Sequence, residues 1–174
     1  MLCTPVQDEH ETHKVKYMLG NRGFTLVELM VTIAVAAILA MIAVPSFGTI
    51  LEKQNLKRST QELISTLSQA RAQAALERVE VTVKLNQSFD NLSSSEKADF
   101  AAKKLFIWEA KGDSVLNSGS PTSITFQLSG AVKDYDANIK DEPFVICNKS
   151  GGSTSKNIEV SLTGAVYVTE GSCP

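Results

Sequence analysis

Glu28 is a carboxylate inside an apolar run that extends from Phe24 to Phe47. About 20 such residues suffice for a helix to cross the hydrocarbon core of a bilayer. An ionised carboxylate held there costs at least about 2.5 kcal/mol unless it is paired, and such residues mark function by default. The sequence offers a partner. A cut between Gly23 and Phe24 would give Phe24 a new amino group. The Glu28 carboxylate of one subunit would then neutralise the amine of another inside an apolar bundle.

The stretch Gly23-Phe24-Thr25-Leu26-Val27-Glu28 resembles the class III signal of type IV pilins and secretion pseudopilins. The resemblance implies that a membrane aspartyl protease, the prepilin peptidase, cuts after Gly23 and methylates Phe24. It also implies that Glu28 governs assembly into a filament, and it extends to Pro45, which stands where pilins carry a helix-loosening proline. Residues 1–23 would be the leader, with Met18 an alternative start that leaves the more usual length of 18–23. Lys14, Lys16 and Arg22 are basic and hold this end in the cytoplasm under the positive-inside bias. The cut precedes the apolar run, which is therefore retained, unlike the core of an ordinary secretory signal.

Removing the leader narrows the chemistry. Both histidines, His10 and His13, lie in it, as does Cys3. A chain starting at Phe24 has no histidine, which removes a Ser-His-Asp triad, a Cys-His pair and most zinc sites. The remaining carboxylates are scattered, mostly beside lysines, as on a solvated surface. No catalytic residue, metal site or cofactor is expected. Cys147 and Cys173 are the cysteines that remain, and beyond a membrane they face an oxidising compartment, where a pair reads as a disulfide. The bond would close a loop of about 26 residues and contribute roughly 3 kcal/mol on the loop-entropy estimate. Two unpaired buried thiols are the alternative.

Several elements must position these residues. Residues 24–47 read as a transmembrane and assembly helix, and 48–78 as an amphipathic helix. In the latter, Leu56, Leu63, Leu67, Ala70 and Ala74 recur at helical spacing on one face, which Ile64 widens. Pro45 and Gly48 weaken the continuity, since an interior proline removes a hydrogen bond and crowds the preceding turn. A continuous or kinked helix over 24–78 would be roughly 80 Å long at 1.5 Å per residue; two unrelated helices are the alternative.

From Val79 the period changes to two, and residues 79–174 read as a β-rich globular domain. Strands are expected at 79–85, 105–108, 123–128 and 144–147. A hairpin is expected over 157–168, turning near Thr163-Gly164. A Ser- and Asn-rich insert occupies 86–95, a short helix 96–103, and a glycine loop 149–156. A helix first and consecutive strands afterwards indicate an α+β fold, the long N-terminal helix packed on a C-terminal antiparallel sheet.

The segments 124–130 and 158–164, each ending in a glycine, resemble the GspH/FimT branch of pseudopilins and minor pilins. The pattern Leu63, Leu67, Ala70, Arg71, Ala74 agrees with that branch. The terminal Cys173, pairing back to Cys147, most resembles FimU-type minor pilins. Some members of the branch bind DNA through a basic Gly-Arg-x-Arg near the C-terminus. Here the matching stretch is Gly164-Ala165-Val166-Tyr167, and phosphate contact needs Lys or Arg. Three of the 17 basic and three of the 19 acidic residues precede Phe24, so 14 face 16 afterwards and no basic excess compensates. Lys149 and Lys156 flank the glycine loop and could touch a phosphate, but a solvated loop is the favoured reading.

The resemblance as a whole implies a minor pilin of a type IV pilus that starts assembly and caps the tip. It would support twitching, adhesion or DNA uptake without catalysing anything. Its partners would be other minor pilins, the major pilin, the prepilin peptidase and the inner-membrane assembly platform. It would span the inner membrane once, with its C-terminal domain in the periplasm, before joining the fibre at the cell surface. An H-type pseudopilin of a type II secretion system and a DNA-binding competence pilin are the alternatives, and the lost arginines disfavour direct DNA binding.

Overall fold

Residues 24–174 are described by a computed structural model, the side chains of 42–46 excepted. The chain divides into two units, 1–41 and 42–174. Helix α1 is assigned to Leu26–Glu77, so the division falls inside it. In the first unit the described residues are helical from Leu26, and their large apolar side chains are exposed. Among the described residues no helix is long and apolar enough to cross a membrane. The apolar run of the sequence continues through 42–46, whose side chains lie outside the described residues. The helix assignment carries through Pro45 and Gly48 without a break.

In the second unit α1 gives one face to a core. Leu56, Leu63, Leu67, Ala70 and Ala74 are all buried, as their spacing requires, while Lys57, Arg58, Gln61 and Gln69 between them stay exposed. Opposite them stand β1 (Val81–Leu85), β2 (Leu105–Trp108) and β4 (Ser123–Phe126), with spatial order β2-β1-β4. Val81, Val83 and Leu85 of β1, with Trp108, Ile124 and Phe126, share that core with the helix stripe. The alternating exposure of β1 is what a strand with one buried face should show.

A second sheet joins β3 (Val115–Leu116), β5 (Phe144–Cys147), β6 (Ser155–Val160) and β7 (Val166–Gly171) in that order, all antiparallel. Phe144, Ile146, Ile158 and Val160 carry the same core onward. The fold is α+β, with the helix packed on a largely antiparallel sheet region.

Beyond end shifts of two residues in β1, β4 and the helix α2 (Ser94–Ala101), four details depart from the sequence expectation. First, β1 and β2 pair in parallel. The connection between them carries α2 (Ser94–Ala101), and a parallel pair needs a crossover of that kind. Second, β3 and the short α3 (Tyr135–Asn138) are too brief to show a period. Third, β6 begins at Ser155, inside the stretch read as a glycine loop. Ser155 lies between Cys147 of β5 and Gly171 of β7, so ladder partners on both sides decide its conformation. Fourth, β7 continues to Gly171, beyond the expected end at Val168.

The two strand-closing glycines behave as expected. Gly130 and Gly164 both have φ of +79°, a conformation that glycine adopts at little steric cost. In the first turn the Gln127 N–H donates to the Ala131 carbonyl at 2.8 Å and the Gly130 N–H to the Gln127 carbonyl at 2.8 Å. Ser161, Ala165 and Gly164 repeat those two bonds at 2.8 Å each. Each is a three-residue loop ending in a left-handed glycine. The Val132 N–H donates to the Leu162 carbonyl at 2.9 Å and ties the loops together.

Candidate assembly site

The N-terminal end of α1 is built by Thr25. Its carbonyl accepts the first helical hydrogen bond, from the Leu29 N–H at 3.1 Å. Its hydroxyl Oγ1 accepts from the Glu28 N–H at 3.1 Å. Thr25 is therefore the N-cap, a role that threonine fills because its side chain satisfies a backbone donor the helix cannot. Glu28 is the third residue of the helix, where a carboxylate gains about 0.3–1 kcal/mol from the helix dipole. Its carboxylate has no hydrogen-bond or ion-pair partner among the described residues. Phe24 stands at the same end and is 77% exposed. Gly23 lies outside the described residues, as does the side chain of Pro45. Phe24 and Glu28 thus share one helix end, with a free carboxylate on the first turn.

The cysteines lie elsewhere, in the second unit. Cys147, the last residue of β5, is bonded to Cys173, with Cα atoms 5.8 Å apart across a sequence separation of 26. The bond ties the C-terminal tail to β5 beside the loop 148–154. Asn148 closes that loop, its N–H donating to the Thr154 carbonyl at 3.0 Å. Its Nδ2 donates to Glu52 Oε2 at 2.9 Å, and Lys149 Nζ donates to Glu52 Oε1 at 2.8 Å. Lys149, then Asn148, holds the Glu52 carboxyl below its usual range, while Glu52 raises the Lys149 ammonium. Lys156 pairs with Glu170 across β6 and β7. Both lysines of the glycine loop are therefore engaged with carboxylates.

Sequence reasoning passed over three contributors. Thr25 was legible, because a threonine three residues before a glutamate at the start of an apolar helix is the spacing of a helix cap. Ser59 was not legible: it interrupts the apolar stripe, yet its carbonyl accepts from Trp108 Nε1 at 3.1 Å and its hydroxyl from the Lys111 N–H at 2.9 Å. Glu52 was equally hidden, since its partners lie 96 and 97 residues away. Among the described residues no group of His, Cys, Asp or Glu is arranged to hold a metal ion.

A capped helix opening on Phe24, with Glu28 unpaired among the described residues and its later turns packed on a largely antiparallel sheet with a disulfide-pinned tail, defines a pilin-like protein. The chain belongs to the GspH/FimT family of such proteins: residues 59–164 match the family described as Type II transport protein GspH, and residues 18–44 match the Prokaryotic N-terminal methylation motif. Two proteins of Pseudomonas aeruginosa, each named Fimbrial protein, are 38% identical to it over 64 residues. That stretch is 37% of this chain and 41% of each relative, so the chain spans about two fifths of the length of the curated relatives it matches. No solved structure gives a significant match.

Proposed function

We propose that this protein is a minor pilin of a type IV pilus, of the FimU type, which helps to start assembly and caps the fibre. It is cut after Gly23, methylated on Phe24 and held in the inner membrane by residues 24–47, its C-terminal domain in the periplasm. From there it joins other minor pilins and the major pilin at the tip, through the assembly platform. The observation that carries this reading is the Glu28 carboxylate, unpaired among the described residues, on the first turn of a helix that opens at Phe24. A buried subunit interface supplies the missing cation there as the amino group of a processed Phe24. The role is structural and involves no cofactor. The experiment is recovery of the protein from sheared pili, followed by N-terminal sequencing. Methylated Phe24 as the first residue supports the proposal, and retention of residues 1–23 on assembled protein refutes it.

The match of residues 59–164 to a type II transport family favours a second reading, an H-type pseudopilin. The two are separated by deleting the gene. Loss of surface pili with normal protein export supports the first, and loss of export with normal pili the second. A DNA-binding competence pilin has less support, because Lys149 is paired with Glu52 and Lys156 with Glu170.

A further inference from the structure

Beyond the apolar run, α1 carries three exposed cations within six residues, Lys53, Lys57 and Arg58. The neighbouring carboxylates on the same helix do not compensate them. Glu52 is turned to Lys149 and Asn148 of the glycine loop, and Glu62 to Lys111. Among the described residues Lys53, Lys57 and Arg58 have no hydrogen-bond or ion-pair partner. On their N-terminal side stand the exposed apolar side chains of Phe47, Ile50 and Leu51. The first buried core residue of the helix, Leu56, lies among them, after Lys53 and before Lys57 and Arg58. The cations therefore straddle the edge of the folded domain, within two turns of an uncovered apolar stretch.

Two physical points give this arrangement a meaning. Long cationic side chains at the end of an apolar helix reach to the polar boundary of a bilayer, with their stems on apolar surface and their heads in the headgroup layer. Cations on the translocated side also run against the positive-inside bias. Once a cut after Gly23 removes Lys14, Lys16 and Arg22, every basic residue near the apolar run lies on the far side. An anionic surface there would offset that imbalance.

We infer that Lys53, Lys57 and Arg58 form a collar for anionic phospholipid headgroups, which holds the subunit at the outer face of the inner membrane before assembly. The inference rests on the proposed anchoring of the chain through residues 24–47 and adds to it a lipid preference. Each cation near an anionic surface contributes about a fivefold preference, and the effect weakens with salt.

The test uses the processed full-length protein in nanodiscs of phosphatidylcholine and phosphatidylglycerol. Native mass spectrometry counts the lipids retained on the ejected protein, at low and at high salt during assembly. Wild type should enrich phosphatidylglycerol about fivefold or more, and less at high salt. The combined Lys53→Gln, Lys57→Gln and Arg58→Gln variant should insert equally well and show no enrichment, while Arg58→Lys alone should keep it. Enrichment unchanged in the triple variant, or absent in wild type that has inserted, overturns the collar and leaves the anchoring intact. Protein that inserts in neither lipid overturns both. A duplex DNA mobility shift is run in parallel. If the triple variant loses DNA binding but keeps its lipid preference, the cations serve a nucleic acid and the lipid inference falls.

Discussion

Under the proposed function, two separable roles meet at Glu28. As the third residue of a capped helix it gains modestly from the helix dipole; as a carboxylate unpaired among the described residues, in an apolar run, it would take a cation from a neighbouring subunit. Glu28→Ala should leave cleavage and membrane insertion intact, because the segment becomes more apolar. It should lower incorporation, because the amine of a neighbouring Phe24 is left stranded, and removal of one member of a buried ion pair is strongly destabilising. Glu28→Asp should do partial harm, keeping the charge on a shorter arm. Thr25→Ala removes the cap at a cost of about 1 kcal/mol but spares the carboxylate, so incorporation should survive. Comparing processed protein in membranes with protein in sheared pili checks all three variants. Equal losses for Thr25→Ala and Glu28→Ala would point to stability of the helix end as the only role.

At the scale of elements, the paired glycine loops and the helix are locked to each other. A Cβ at Gly164 would lie 2.8 Å from the Gly130 carbonyl oxygen and 2.9 Å from Arg71 Cδ. At Gly130 the nearest atom would be Arg71 Cγ, at 3.3 Å, on a side chain that can move. Each alanine pays about 1 kcal/mol or more for its left-handed backbone, and Gly164→Ala meets backbone as well. Gly164→Ala should therefore destabilise the domain more than Gly130→Ala. Arg71→Ala should relieve part of the second defect but little of the first, read as coupling in denaturant unfolding. The crossover helix α2 makes a different prediction. Ser93 caps it, and the Glu96 carboxylate accepts from the Ser93 N–H at 2.8 Å and from Lys84. Lys84 first, then Ser93, holds Glu96 down to about 2 from the usual 4.5. A depressed carboxyl contributes fully above its unfolded value and loses that contribution as pH falls towards its folded one. Protection factors of the amides in 94–101, referred to intrinsic exchange at each pH, should therefore fall on acidification between about 4.5 and 2, and Glu96→Gln should flatten that dependence.

At the scale of the molecule, the disulfide pins the segment around Cys173 to the second sheet. It joins Cys147, central in the second sheet, to Cys173 beside the loop that Glu52 holds against α1. Removing it by Cys147→Ser with Cys173→Ser should cost roughly 3 kcal/mol through the entropy of the opened loop. Unfolding of the purified protein with and without reductant measures this, and thiol labelling of the denatured, unreduced protein should find neither cysteine free.

The sequence by itself determined the features that local chemistry and periodicity encode. The motif around Phe24 and Glu28, the helix stripe from Leu56 to Ala74, the strands at 105–108 and 144–147 and the two glycine turns were all legible, because each depends on neighbours within a few positions. The cysteine pair was legible through compartment and number. The tertiary structure alone decided that β1 and β2 run parallel, because direction depends on how a crossover returns. It alone also decided that Ser155 is a strand residue, because its ladder partners are Cys147 and Gly171. The turning of Glu52 towards Asn148 and Lys149, which leaves Lys53, Lys57 and Arg58 uncompensated, belongs to the same class. Those contacts join residues nearly a hundred positions apart, and no local pattern records a pairing over that distance.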